Sequence, residues 1–595
     1  MVAPAPQPVL IEAAGHTCLA WWHAPAAVAS PALPLAVVLA SSWGEEDIAA
    51  YDAQRALAIA LADAGLGTLR FEWPDTGDSS AATGSTTIAD ALAAFDAAAA
   101  RAIALSGHER LAFVGLRLGA LLATHAAAAR LDVDALVALM PVASGRAFVR
   151  EQTLLAAGRV SPMPGALFDP AQLPVSLGGF ALPVRHLESL AALRWPAAAT
   201  TSVLEAMLVQ APQAASRPAA DALARMGMRV REWAHADPSG ALAIVEIVRW
   251  LRERAADATV LRGVPAIEDF GVADPSNGPT NAALAKARLD AATAAVLALA
   301  RADAPVWMRL RERGVALREG VVRIADPGEP ALVGVLSERD RNAEDATPRE
   351  AIVLLSSGRE RRVGPHRLWV PWARHRAALG DVVLRLDVAG VGDSAPRPHD
   401  HVDDARNAGD VARAVAWLRR EKGVAACTVV GIGAGATRAW RAALEGLAAD
   451  RIVAIDPTRL GRPAARSTRA SRALRLLRPL RDELAIELAH SAARGVSLNL
   501  VLSQGGSGVA AARGGLRLLR DSHVTIRHLA PAHPNFAGVA DKARLYACLD
   551  ALLAPARPGV VAPAPAEAAD TAAALRQSFA AEALRAIARS SGPAR

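Results

Sequence analysis

The feature that most constrains this chain is that it contains itself twice. The apolar run Leu33–Ala40 ends in Ser41-Ser42, and the run Ala351–Leu355 ends in Ser356-Ser357. Each leads through a helical stretch into a second strand, Gly67–Phe71 in one case and Val382–Asp387 in the other, and then into a Gly-Asp-Ser turn, Gly77-Asp78-Ser79 and Gly392-Asp393-Ser394. The spacing from Ser41 to Gly77 and from Ser356 to Gly392 is the same 36 positions. Further on, Leu111–Val114 enters Gly115-Leu116-Arg117-Leu118-Gly119, while Cys427–Val430 enters Gly431-Ile432-Gly433-Ala434-Gly435; Pro141 and Pro457 each follow the first glycine by 26 positions. Short β-rich runs alternating with helical stretches predict an α/β fold in which a mostly parallel sheet is covered on both faces. Two such units in tandem are expected, at 1–255 and 320–555. A linker with a helix, 256–319, joins them: Pro265–Thr280 is rich in turn residues and Asn281–Arg313 reads as an Ala/Leu/Arg helix. A Pro/Ala tail, 556–595, carries an amphipathic helix near 571–588.

A strand feeding G-x-X-x-G and then a helix is the arrangement of a nucleophile elbow, whose central residue sits on a sharp, strained turn between close-packed glycines. In an active α/β-hydrolase that residue is Ser, Cys or Asp. Here the elbow positions hold Arg117 and Gly433. Arginine keeps its proton at any usable pH and offers no lone pair for acyl attack, and glycine has no side chain, so neither elbow can form an acyl-enzyme.

With these motifs in view, the first half resembles the serine-aminopeptidase-like α/β-hydrolases associated with the exosortase A system of exopolysaccharide-producing bacteria. The resemblance rests on Ser42-Trp43-Gly44-Glu45-Glu46-Asp47, similar to a P-F-G-E-E loop, and on Phe71-Glu72-Trp73-Pro74-Asp75-Thr76-Gly77-Asp78-Ser79-Ser80, similar to F-D-Y-P-G-T-G-D-S-S. Pro141–Arg146 and Arg150-Glu151 add to it. In the second half, Arg362–Arg367 and Arg385–Ser394 look like the same superfamily. The resemblance implies two tandem α/β-hydrolase-like domains with degenerate elbows, and a role in exopolysaccharide or surface-glycan production.

The remaining triad positions are thin. After the late strand Glu205–Val209 comes Gln210-Ala211-Pro212-Gln213, without a carboxylate, and His235 near the end of the first half has nothing to activate. In the second half Asp456 ends the strand after the elbow, and His533 lies in a loop like the catalytic-histidine loop of the superfamily. An Asp456–His533 pair is therefore either a residual acid and base or an inherited structural hydrogen bond. Ser42, Trp43, Ser357 and Gly358 are oxyanion-loop candidates, following strand ends where that loop of such a fold forms; the hydroxyls of Ser41, Ser42, Ser356 and Ser357 either cap a turn or bind a carbonyl, or supply a displaced nucleophile. Arg117 is either a carboxylate- or phosphate-binding guanidinium or the partner of Glu45, Glu46 or Glu72. Gly431-Ile432-Gly433-Ala434-Gly435-Ala436, with Asp456 downstream, also fits a dinucleotide fingerprint, although two strand–helix units precede it.

Composition narrows the partners. Lys and Arg number 66 against 59 Asp and Glu, a net charge of +7. Only Lys286, Lys422 and Lys542 are lysines, and the arginines are dispersed among acids without the aromatic interleaving of a nucleic-acid groove, so no nucleic-acid partner is expected. Cys18, Cys427 and Cys548 form no disulfide or zinc pattern, and no metal or cofactor is expected. Met1–Leu10 lacks the features of a signal peptide, and no apolar run reaches the roughly 20 residues of a membrane span, which predicts a cytoplasmic protein. The expected function is binding, of a protein partner or of an acyl or anionic small molecule. The alternatives are a weak esterase or thioesterase with a displaced nucleophile, and a nucleotide-dependent oxidoreductase.

Overall fold

The computed structural model describes residues 4–26, 33–80, 86–157, 175–177, 180–182, 184–197, 203, 205–212, 217–237, 240–262, 306–340, 350–397, 407–458, 496–503, 524–529 and 536–554. The chain divides into two compact units, Met1–Val539 and Ala540–Arg595. Both copies of the repeat fold within the first.

The first copy runs β1 (Gln7–Ala13), β2 (His16–His23), β3 (Ala36–Ala40), α1 (Glu45–Asp63), β4 (Thr68–Phe71), α2 (Ile88–Ser106), β5 (Leu111–Leu116), α3 (Leu118–Ala128) and β6 (Val133–Leu139). Then come α4 (Gly145–Ala157), a hairpin of β7 (Val175–Leu177) and β8 (Phe180–Leu182), α5 (Val184–Ala192), β9 (Glu205–Gln210), α6 (Arg217–Arg225), β10 (Arg229–Ala234) and α7 (Ala241–Arg262). The second copy runs β11 (Val306–Glu312), β12 (Val315–Ile324), β13 (Leu332–Arg339), β14 (Ala351–Leu355), α8 (Trp369–Leu379), β15 (Val382–Asp387), α9 (Asn407–Lys422), β16 (Cys427–Ile432), α10 (Ala434–Leu444), β17 (Arg451–Ile455), β18 (Ser497–Ser503) and β19 (Thr525–Leu529). The last helix among the described residues, α11, spans Val539–Leu553.

The sheets have strand orders β1-β2-β4-β3-β5-β6-β9-β10 and β11-β12-β13-β15-β14-β16-β17-β18-β19. They superpose in order once β11 is set aside as an extra edge strand. In each, the first strands form an antiparallel meander, and from β4 or β15 onward all pairs are parallel. The central strands β3 (AVVLA) and β14 (AIVLL) are buried throughout, as strands covered on both faces must be. In the first copy one face packs Phe95 and Ala98 of α2 and Leu121 and Leu122 of α3; the other packs Leu57 and Leu61 of α1 and Ile247 and Trp250 of α7. Helix α2 starts on a capping box between Thr87 and Asp90 and stops on the left-handed Gly107.

The second sheet begins earlier than expected. Val306–Glu312 pairs antiparallel with β12, so this stretch is a strand and not the end of an Ala/Leu/Arg helix; the rest of that expected helix lies outside the described residues. The sequence Val-Trp-Met-Arg-Leu-Arg-Glu alternates, and the edge of a meander rewards that alternation more than helix propensity. The expected tail helix also lies outside the described residues.

The halves meet through their Gly-Asp-Ser turns. Arg70 on β4 donates to Asp393 of the other half at 2.8 Å, and Arg385, its counterpart on β15, lies 3.2 Å from Asp78. Such an exchange of equivalent contacts is the mark of a two-fold interface, here closed within one chain. Leu19 and Trp21 of β2 pack on Val333 and Val335 of β13, also equivalent positions, and the amides of Leu19 and Val333 donate to Ser79 and Ser394. Around these pairs the halves have become complementary. Arg361 and Arg362 stand where the first half has Glu46 and Asp47: Arg361 binds Glu72 and Asp47, and Arg362 binds Asp78 at 2.8 Å, Asp387 at 2.6 Å and Asp393 at 2.9 Å. The guanidiniums of Arg361 and Arg70 lie over the Tyr51 ring, 4.1 Å and 4.9 Å from its centroid, and the Tyr51 hydroxyl donates to Asp393. Arg367 reaches across to Asp75 and to the carbonyls of Gly77 and Ser79. Burial alone would raise the Asp393 carboxyl, but the guanidiniums of Arg70 and Arg362 outweigh it and hold it well below its usual range. His23, pushed down to about 2 by burial and by Arg70, stays neutral and accepts from Arg70 Nε at 3.0 Å.

Candidate functional site

The elbows are built alike. Arg117, between β5 and α3, has φ 55° and ψ −115°, and Gly433, between β16 and α10, has φ 58° and ψ −118°. Their amides donate to the Leu139 and Ile455 carbonyls, each at 2.9 Å. A side chain on Gly119 or Gly435 would run into the backbone carbonyl of Ser41 or Ser356, which explains the second glycine of each motif. A left-handed arginine is strained, and its neighbours hold it there.

Arg117 is met by two carboxylates. Its Nη2 lies 3.1 Å from Glu46 and 2.5 Å from Glu151, and its Nε donates to Glu46 at 3.3 Å. Burial opposes the charge, but Glu46 and Glu151 outweigh it and strengthen the guanidinium's hold on its proton. Glu46 is itself saturated by Ser42 Oγ at 2.6 Å and Gln152 Nε2 at 2.8 Å. Ser42 is thus committed to a carboxylate, while Trp43 packs on Phe180 with ring centroids 5.2 Å apart and on His186 at 6.1 Å. Of the three acids the sequence offers to Arg117, the structure selects Glu46; Glu45 meets His366 and Glu72 meets Arg361. Nothing in the sequence pattern alone assigns Glu151 and Gln152 to this site. Their signal was the Arg150-Glu151 pair on α4, whose approach to the elbow only the fold reveals.

Below Arg117 lies a cavity of about 340 Å³ between α1 and α7. Ala49, Ala53 and Leu57 of α1 and Ala243 and Ile247 of α7 line it, and its polar side chains are Glu46, Gln54 and Arg117.

In the second half, a Cβ at Gly433 would meet the Ser357 hydroxyl well inside contact distance, so Ser357 Oγ fills the place of the elbow side chain. The Gly358 carbonyl accepts from Arg438 at 3.2 Å. Asp456 (φ 44°) accepts the Ser503 amide at 2.9 Å on Oδ1, while its buried Oδ2 has no hydrogen-bond partner among the described residues. Burial raises the Asp456 carboxyl despite those bonds. His533 lies outside the described residues, so its pairing with Asp456 is not part of this description. His235 stacks on Trp233 at 5.1 Å and accepts the Asp237 amide on Nδ1 at 3.0 Å. Gln210, at the late-strand position, binds Glu232. Among the described residues no group of three or more His, Cys, Asp or Glu is arranged to hold a metal, and no helix is long and apolar enough to cross a membrane.

Strand order, glycine-flanked elbows and the helices that follow them define an α/β-hydrolase-like fold in each half. No family model matches the chain, and no curated protein matches it. Among solved structures it is similar to the Pyrococcus furiosus esterase Pf2001, at 16% identity and TM-score 0.28 over 39% of this chain and 91% of that one. It is also similar to Est1E from Butyrivibrio proteoclasticus, at 18% identity and TM-score 0.30 over 42% and 99%.

Proposed function

We propose that this protein is a pseudo-hydrolase that binds a ligand at its first elbow without cleaving it, and that it serves exopolysaccharide or surface-glycan production in the cytoplasm. The observation that carries the binding reading is Arg117: a guanidinium held by Glu46 and Glu151 occupies the one position from which this fold delivers a nucleophile. The pathway assignment rests on the resemblance of the Ser42–Asp47 and Phe71–Ser80 segments, and it is an analogy of motif.

A specific observation favours a second reading. Ser357 Oγ sits where a side chain on Gly433 would begin, at the N-terminus of α10, so a displaced serine could attack an ester there. Hydrolysis of p-nitrophenyl butyrate by the purified chain separates the two. Binding without cleavage predicts turnover no faster than the same protein after heat denaturation. Turnover by the native chain that Ser357→Ala removes would establish the esterase and refute the pseudo-hydrolase.

A further inference from the structure

We infer that the cavity between α1 and α7 takes the hydrocarbon chain of a neutral amphiphile, a fatty alcohol, ester or amide, whose head-group oxygen accepts a hydrogen bond from Arg117. This deepens the binding reading above and rests on it for the choice of site.

The room exists because the two helices line the space with small residues, Ala49, Ala50 and Ala53 of α1 and Ala243 of α7, beside the larger Leu57 and Ile247. At about 340 Å³ the space falls within the range of small-molecule sites, and a wall this apolar gains nothing from water and favours a hydrocarbon guest.

The charges at the mouth choose the head group. Nε and both hydrogens of Nη2 of Arg117 are spent on Glu46 and Glu151. Nη1 has only the Met140 carbonyl at 3.5 Å, the outer limit of a hydrogen bond, which leaves it one hydrogen without an acceptor among the described residues. An incoming oxygen can take that hydrogen. A carboxylate or phosphate would instead face Glu46 and Glu151, two negative charges against one positive. An ammonium would have to displace Ser42, Gln152 or Arg117 from a Glu46 they already saturate.

Equilibrium dialysis of the full chain against 1-octanol, octanoate and octylammonium tests this. The expected result is saturable binding of one octanol per chain, with octanoate at least about tenfold weaker from like-charge repulsion. Ala53→Trp, which fills the cavity from a half-buried position, should abolish octanol binding. Ala243→Leu serves the same purpose if the tryptophan disturbs folding. Arg117→Met, which removes the donor and leaves Glu46 and Glu151 unneutralised, should weaken octanol binding and keep octanoate excluded. Leu131→Ser, on an exposed loop, should change nothing. No saturable octanol binding, equal binding of octanoate, or binding that survives filling of the cavity overturns the inference. Ester turnover by the native chain overturns the pseudo-hydrolase reading alone, so the two failures are distinguishable.

Discussion

Replacing Arg362 by methionine tests whether the two halves are held by their ion network. The guanidinium is fully buried and serves three carboxylates, Asp78, Asp387 and Asp393. Without it, Asp78 keeps Arg385 at 3.2 Å, and Asp393 keeps Arg70 at 2.8 Å and Tyr51 at 2.5 Å, but among the described residues the Asp387 carboxylate keeps only the amides of residues 362 and 393. Removing one partner of a buried pair strands the other charge, at a cost of about 3–5 kcal/mol. Arg359→Met provides the contrast: its pair with Asp52, 3.1 Å long, is 68% and 39% exposed, and such pairs contribute about 0–1 kcal/mol. Urea unfolding followed by tryptophan fluorescence and far-ultraviolet circular dichroism reads both variants. Arg362→Met should lower the stability of a single shared transition by about 3–5 kcal/mol, and adding Asp387→Asn should recover part of it, since the residues are coupled. A loss below about 1 kcal/mol, or a shift confined to part of the unfolding amplitude, would refute the idea that the network joins the halves into one cooperative body.

Glu360 gives a pH dependence: burial, and then the charge of Glu45, raise its carboxyl to about 7. The folded chain therefore binds a proton that the unfolded chain releases near pH 4.3, so this residue's contribution falls as pH rises from about 4.3 to 7 and is flat beyond; Glu360→Gln should flatten that part of the stability–pH curve, and an unchanged slope would contradict it. Gly119→Ala drives a methyl into the Ser41 carbonyl and should destabilise the first half by about 1–3 kcal/mol in the same urea assay, whereas a neutral result would mean that the elbow is not close-packed.

Much of the fold was legible because repetition and periodicity are local. The Ser-Ser strand ends, the Gly-Asp-Ser turns and the glycine-flanked elbows mark two equivalent copies of one strand–helix unit without knowledge of long-range contacts. The interface was not legible, since Arg70 and Asp393 lie more than 300 positions apart and each looks like an ordinary polar residue in its own half. A faint signal existed in the aligned copies, where Glu46-Asp47 in one faces Arg361-Arg362 in the other; opposite charges at equivalent positions suit a two-fold interface turned inward. At the elbows, Arg117 and Gly433 in place of Ser, Cys or Asp are readable in the sequence, but how their neighbours are arranged is not. That Ser42 spends its hydroxyl on Glu46, and that Ser357 moves into the space Gly433 vacates, depends on side-chain placement that residue identity alone does not determine.

The most direct test of the account is the intact mass of the native chain after incubation with a fluorophosphonate, alongside heat-denatured protein as a measure of unspecific reaction. The reagent reports an activated serine whichever strand carries it. The account predicts no adduct on native protein above that background, because Arg117 and Gly433 leave both elbows without a nucleophile. A stoichiometric adduct on the native chain alone would contradict it, and mapping of the labelled peptide to Ser357 would show that the second half had kept its chemistry on a neighbouring strand.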